Sequence, residues 1–376
     1  MAGSRGTLLV VGHPNVVPHN QLIYVRMAEL GWDLKLIVPS LWVDEYSPGG
    51  FRTQPVRELV GTFARVRVAV RGEPLRHVYI TSPSRWLKRW RPDVVFIEND
   101  PTAIPTLQWG LVCERLGIPW GIQGDENLDR PFPWPAILIR RWSLSRTDFI
   151  GARSPTAASR LKQWGARGAV ATVSHTIPEW SFASQADDEL FTVGFAGRLV
   201  TAKGIDDLIA AAQHLDFPFR LLVVGDGVRR GDLERAKLGR GTLELHTGVR
   251  TDAMPDLYRR MHVLVLPSRT TRTWAEQFGK VLCEALMCGV PLIGSSSGAI
   301  PWVIQSTGGG DVFPEGDAQA LARLISEMRA DPPRRLELAR RGREGVERHF
   351  SPRAAARDLD HLIRIAVPGA PTRPEA

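Results

Sequence analysis

Short runs of valine, isoleucine and leucine alternate with amphipathic stretches along almost the whole chain. Strands this apolar are buried on both faces, which requires a parallel sheet with helices on each side. The periodicity predicts strands at 7–12, 33–38, 64–70, 93–97, 119–123 and 148–152, with helices at 21–30, 106–116 and 155–164 among them. A second series follows, with strands at 191–196, 220–224, 243–246, 263–266 and 291–294. Helices at 205–215, 232–238, 255–261 and 278–287 separate these. The chain has 376 residues, more than one hydrophobic core usually serves, since single cores seldom exceed ~250–300 residues. The expectation is an α/β protein: two Rossmann-like, doubly wound parallel-sheet domains facing a central cleft, with ligands beyond the carboxyl ends of the strands.

A polar, proline-containing stretch at 176–190 parts the two series. We therefore expect an N-terminal domain at 1–175, a linker at 176–190, a C-terminal domain at 191–350, and a helix with a disordered tail at 351–376. That last helix is expected to fold back on the N-terminal domain.

The formal net charge of +8 favours anionic partners such as nucleotide phosphates or lipid headgroups. No nucleic-acid motif is present, and arginine is scattered through ordinary helices, so nucleic acid is not expected as a partner. Cys113, Cys283 and Cys288 form no Cys-x-x-Cys pair, which predicts buried thiols in a reducing compartment and no zinc site. The first apolar run stops at Gly12-His13-Pro14, and no stretch approaches the ~20 residues that span a bilayer. The expected location is the cytoplasm, either free or on the inner face of the membrane.

Two segments of the second half carry the chemistry. Glu276 and Glu284 bracket Gln-Phe-Gly-Lys-Val-Leu-Cys, a glycine turn leading into a helix. The helix start offers bare N–H groups to phosphates, Glu276 reaches sugar hydroxyls, and Glu284 takes the two hydroxyls of a ribose. Alone, the pair would equally suit a capped amphipathic helix. The earlier segment runs Gly194-Phe-Ala-Gly197-Arg198-Leu-Val-Thr-Ala-Lys203-Gly204. Gly197 lets the backbone turn, while Arg198 and Lys203 flank a helix start, an arrangement suited to a diphosphate that gains charge as it leaves. In isolation these would be two solvated cations. Gly225-Asp226-Gly227 marks a tight turn, and Thr247-Gly248-Val249-Arg250 ends another strand where a flat base would fit.

These residues, with Pro267-Ser268, Glu284-Ala-Leu-Met-Cys-Gly-Val-Pro291 and Ser297-Gly-Ala-Ile-Pro301, closely resemble the group 1 glycosyltransferases, retaining enzymes of GT-B architecture in glycosyltransferase family 4. The likeness is strong over 190–305 and diffuse before it. It implies that Arg198 and Lys203 bind the donor diphosphate, that Glu276 contacts the donor sugar and that Glu284 holds the ribose. It further implies that Phe278, Gly279 and Lys280 offer backbone to sugar and phosphates, and that Val249 and Arg250 lie near the base. Retention of anomeric configuration comes from the resemblance alone. No cofactor or metal is expected, since the one Asp-x-Asp spacing, Asp358-Leu-Asp360, falls in a C-terminal helix.

Many relatives carry a glycine pair in the first loop and a histidine after the fifth strand. This chain has Gly12-His13-Pro-Asn15 in the first place and Gln123-Gly-Asp125-Glu126-Asn127 in the second. His13, Asn15, Asp125, Glu126 and Asn127 are thus the acceptor-side candidates, although Asp125 and Glu126 would equally cap a turn. Glu98-Asn99-Asp100-Pro101 ends another strand, suiting either acceptor contacts or helix capping. Trp302 stands where relatives often have an acid.

Ser84-Arg-Trp86-Leu-Lys-Arg-Trp90-Arg91 interleaves cations with tryptophans, and Ile139-Arg-Arg-Trp142 echoes it. The pattern suits either an anionic membrane surface or an amphipathic helix with tryptophan in the core. The reading is a glycosyltransferase that takes a UDP- or GDP-linked sugar to a glycan, lipid-linked or small-molecule acceptor. A nucleotide-sugar 2-epimerase and a non-catalytic nucleotide-sugar-binding subunit are the alternatives.

Overall fold

The computed structural model describes residues 5–44, 47–177, 180 and 190–368. It divides into two units, one running to Thr176 and rejoined by the helix Pro352–Ala366, the other spanning Ile177–Ser351.

The strands of the first unit are β1 Thr7–Val11, β2 Asp33–Pro39, β3 Leu41–Asp44, β4 Ser47–Arg52, β5 Phe63–Val66, β6 Val68–Ala69, β7 Val78–Tyr79, β8 Val94–Ile97, β9 Trp120–Gly124, β10 Phe149–Ala152 and β11 Ala169–Thr172. Seven of them form one sheet in the order β11-β10-β9-β8-β1-β2-β5, every pair parallel. β1 and β8 are buried at every position, as strands covered on both faces must be. From β1 the chain winds first toward β5 and then back toward β11, so strand order reverses between β1 and β8. That reversal opens a crevice at the carboxyl ends of these two strands.

The second unit repeats the plan with β12 Thr192–Ala196, β13 Phe219–Val224, β14 Gly241–His246, β15 Val263–Leu266, β16 Leu292–Ser295 and β17 Gly310–Phe313. Its order is β14-β13-β12-β15-β16-β17, again wholly parallel, with the reversal between β12 and β15.

The helix Pro352–Ala366 packs on the first unit through Ala355, Leu359, Leu362 and Ile363, all buried in that unit's core. Trp32 donates its indole N–H to Asp360 at 2.9 Å, and Arg5 forms an ion pair with the same carboxylate. Asp360 is therefore a structural anchor of this helix.

The expected strand at 64–70 breaks in two. Val66 ends the pairing with β2, after which Val68–Ala69 turn into an antiparallel pair with Val78–Tyr79. β11 and β17 escaped the periodicity because they are short and only partly covered. In the helix Pro83–Trp90, Leu87 is buried and Trp86 and Trp90 pack against the core, which leaves Arg85, Lys88 and Arg89 exposed. Trp142 stacks on Trp120 with ring centroids 5.7 Å apart. These tryptophans serve the interior. All three cysteines are buried. Among the described residues no helix is long and apolar enough to cross a membrane. The expected linker lies largely, and the expected disordered tail mostly, outside the described residues.

Candidate active site

In the second unit the loop after β12 is built on close backbone approaches. A Cβ on Gly225 would lie 1.9 Å from the carbonyl oxygen of Gly197, so the turn after β13 nests directly on it. Leu199 N–H donates to Asp226 O at 2.8 Å, and Arg229 N–H donates to Leu199 O at 2.9 Å. Gly225-Asp226-Gly227 thus acts structurally. At the other end Gly204 has φ 71°, and a Cβ there would sit 1.8 Å from Pro267 O. Only glycine lets the chain carry Lys203 so close to the end of β15.

That closeness brings Lys203 to Glu276. The ammonium donates to Glu276 Oε2 at 2.6 Å, and Ser268 Oγ donates to the same oxygen at 2.9 Å. The pair is almost covered, with Lys203 and Glu276 side chains 14% and 9% exposed. Lys203 also lies 5.1 Å from the ring centre of Trp274. Glu276 is fixed through its backbone as well, its carbonyl accepting from Ala299 N–H at 2.9 Å. Arg198 is exposed on the same loop as Lys203.

Gly279, with φ 74°, is the N-cap of the helix Lys280–Met287. Phe278 is buried, its ring 5.2 Å from that of Phe350 and 6.0 Å from that of Trp302, so its side chain serves the core. Trp302 is likewise engaged in this aromatic contact. Glu284 is half-buried and accepts the Tyr258 hydroxyl at 2.8 Å. Burial raises its carboxyl above the ordinary range, opposed by the tyrosine bond and by Lys280. Val249 packs against the core of this unit. Arg250 is exposed and its guanidinium is held by Asp252 at 2.8 Å, so base contacts there require a side chain already engaged.

The first unit gathers its polar groups where β1, β8, β9 and β10 end. Glu98 is the hub: Asn15 Nδ2 donates to it at 2.7 Å, the Tyr24 hydroxyl at 2.8 Å and Arg153 at 2.9 Å. A Cβ on Gly12 would lie 2.7 Å from Glu98 Cβ, which explains glycine there. Arg153 also bonds Gln123 and lies 3.5 Å from Asp125, which accepts from Gln123 at 3.0 Å. Glu126 accepts from Arg130 at 2.5 Å and from Leu128 N–H at 3.2 Å, the turn-capping arrangement. Asn127 is buried beside it. Asp100 caps too, accepting from Thr102 N–H and Oγ1 at 3.0 and 2.6 Å; burial lifts its carboxyl to about 6.

His13 leaves this hub and joins an aromatic column. Its Nδ1 lies 3.1 Å from Asn99 Oδ1, and its ring stacks on Trp42 at 4.9 Å and meets His77 edge-on at 5.3 Å. His77 meets Tyr79, and Tyr79 meets Trp109. Burial pushes His13 down to about 3 and His77 to about 4, so both rings are neutral at physiological pH. Buried Asn15 Oδ1, Asn99 Nδ2, His77 Nε2, the Tyr79 hydroxyl and Trp109 Nε1 have no protein partner, leaving hydrogen-bonding capacity for a hydroxylated ligand or water. Arg153 was findable in the sequence, as a cation directly after a strand. Trp42, His77 and Tyr79 were not, because two small hairpins bring them in.

Among the described residues no three His, Cys, Asp or Glu are grouped to hold a metal ion.

Two doubly wound units in one chain, each with polar groups where strand order reverses, define the GT-B class. Solved structures agree: sucrose-phosphate synthase of Thermosynechococcus elongatus superposes with a TM-score of 0.70 over 97% of this chain and 100% of its own, at 20% identity. The Anabaena protein HepE, solved with UDP, superposes with a TM-score of 0.68 over 95% of this chain and 99% of its own, at 15% identity. The glycosyl transferases group 1 model matches residues 176–345, and a glycosyl transferase 4-like domain model matches residues 16–175. The chain belongs to the group 1 glycosyltransferase family. A D-inositol 3-phosphate glycosyltransferase of Xylanimonas cellulosilytica is 32% identical over 44% of this chain and 40% of its own length. A 2-deoxystreptamine glucosyltransferase of Streptomyces kanamyceticus is 25% identical over 74% of this chain and 79% of its own.

Proposed function

We propose that the protein is a retaining glycosyltransferase that moves one sugar from a UDP- or GDP-linked donor to an acceptor hydroxyl. The observation that carries this is the covered Lys203–Glu276 pair braced by Ser268, which sets a phosphate-seeking cation beside a hydroxyl-seeking carboxylate. Lys203 and Arg198 take the diphosphate, Glu276 the sugar hydroxyls, and Glu284 the ribose. The Gly279–Lys280 helix start adds backbone N–H groups. As the bond from the anomeric carbon to the phosphate oxygen breaks, the acceptor oxygen bonds the same face of that carbon. The acceptor proton passes to the departing phosphate, whose charge the two cations neutralise without a metal.

The first unit is the acceptor side, where Glu98, Asp125 and the His13–Asn99 pair present polar atoms. Two relatives are named for inositol phosphate and 2-deoxystreptamine, both polyhydroxylated rings, and HepE was solved with UDP. These support a hydroxyl-rich acceptor and a UDP-linked donor. The exposed cations of the Pro83–Trp90 helix support a cytoplasmic place beside an anionic membrane face.

Incubating UDP- and GDP-sugars with and without an acceptor pool, while following free nucleotide, is the test. Acceptor-dependent release is expected. Donor conversion without acceptor would mean epimerisation, and binding without turnover a non-catalytic subunit.

A further inference from the structure

We propose that the first unit carries a site for the aliphatic chain of an anionic amphiphile, in a cavity at the amino end of the helix Trp134–Arg146. The cavity measures about 340 Å³ and lies wholly within this unit. Leu75, Ile104, Phe132, Ala136 and Ile139 form its walls, with prolines between them. Its polar lining is Arg76, Thr102 and Arg130. Two of these are already engaged, since Thr102 donates to Asp100 at 2.6 Å and Arg130 to Glu126 at 2.5 Å. The Arg130 guanidinium also lies over the Phe132 ring, 4.6 Å from its centre.

Such walls offer almost nothing to a sugar ring, which would lose its water without regaining hydrogen bonds. An aliphatic chain loses nothing there. The rim points the same way. Trp134 is 73% exposed and Leu138 54%, an apolar edge left in water beside an apolar hollow. Arg76 is exposed at the mouth and has no ion-pair partner among the described residues, so it is available to an anionic head.

The cavity adjoins the polar edge described above. Arg130 is the partner of Glu126, Thr102 is bound to Asp100, and Ile104 N–H donates to Leu75 O at 2.9 Å. A chain seated in the hollow therefore leaves its head at the carboxyl edge of β8 and β9. That the amphiphile is the acceptor rests on the glycosyltransferase reading; that the hollow takes a chain does not.

The test uses the full chain without donor, titrated with dodecyl phosphate below its critical micelle concentration, followed by calorimetry and tryptophan emission. Saturable single-site binding is expected, with a blue shift that Trp134→Phe removes. Inorganic phosphate and dodecyl maltoside are each expected to bind at least ~10-fold more weakly, for want of the chain or of the charge. Ala136→Trp, which fills the hollow, is expected to weaken binding by at least ~10-fold, and Ile139→Glu to do the same, melting curves showing that both variants fold. Arg76→Ala should bring dodecyl phosphate down to the level of dodecyl maltoside. The proposal is overturned if dodecyl phosphate does not saturate, if either cavity variant binds like the parent, or if dodecyl maltoside binds equally well. Donor turnover is measured separately, so lost transfer with intact binding counts against the transferase and not against the site.

Discussion

Lys203 and Glu276 share one hydrogen bond at 2.6 Å, and that bond joins the loop after β12 to the loop after β15. Each partner brings the opposite charge to a nearly covered side chain. Lys203→Met removes the cation from a nearly covered carboxylate, and is expected to cost about 3 kcal/mol of stability. Adding Glu276→Met should return most of that loss, since neither charge is then stranded. Activity should not return: each variant is expected to lose at least ~100-fold in kcat/KM. Urea unfolding and donor turnover on the three variants check both halves.

Gly204 is the backbone hinge of the same loop. A Cβ there meets Pro267 O at 1.8 Å in a left-handed conformation. Gly204→Ala is expected to destabilise by about 2–4 kcal/mol, from clash and backbone strain together. Gly165, with φ 89° and open space around it, supplies the comparison. Gly165→Ala should cost only about 1–2 kcal/mol. Equal melting temperatures for the two variants would remove the close approach as an explanation.

Glu284 sits where burial opposes its charge. A carboxyl whose folded pKa is raised destabilises the fold above its unfolded pKa and relieves that penalty as the pH falls. Glu284→Gln is therefore expected to raise the melting temperature of the free protein at neutral pH. The same change should weaken nucleotide binding by about 10–100-fold if the carboxylate holds the ribose. Thermal scans with and without UDP and GDP read both effects in one experiment.

His77 is fully buried, with its pKa pushed to about 4 by desolvation. A histidine whose folded pKa is depressed stays neutral in the fold while the unfolded chain takes up protons below the ordinary value of about 6.5. Stability should thus fall as pH drops from about 6.5 toward 4. The contribution of this ring at pH 5 is about 2 kcal/mol. In His77→Phe the loss of unfolding free energy between pH 7 and pH 5 should be smaller by about that amount. An unchanged pH slope would show that the ring is not held neutral.

Arg153 is the cation of the Glu98 hub, 2.9 Å from its carboxylate. Arg153→Met is expected to cost about 3–5 kcal/mol, and Glu98→Gln in the same chain to recover part of it. Denaturant curves on the two variants test whether the hub is one unit.

Strand placement was readable in the sequence because buried parallel strands are apolar at nearly every position, as in β1, β8 and β15. Lys203 and Glu276 were readable because each follows a strand end, where α/β sheets bind ligands. Their direct pairing was not, since it depends on Gly204 letting one loop meet another. His13 and Asn15, two residues apart, looked equivalent in sequence. The structure sends Asn15 to Glu98 and His13 to Trp42 and His77, a split that only the hairpins could impose. Arg250 and Glu126 read as ligand groups, yet each has a local partner that the spacing alone did not reveal. The tryptophans of Pro83–Trp90 suited either a surface or the core and went inward, while Trp134, in no motif, stayed in water.

The helix Pro352–Ala366 belongs to the unit that the ribosome makes first, yet it is made only after the second unit. Until it emerges, Trp32 and the core surface that receives Leu359 and Ile363 have no cover. The earlier-born half must therefore wait, incomplete, through synthesis of the whole later-born half. A nascent chain stalled before Pro352 would expose that seam to chaperones, whereas its second unit would already have every strand it needs.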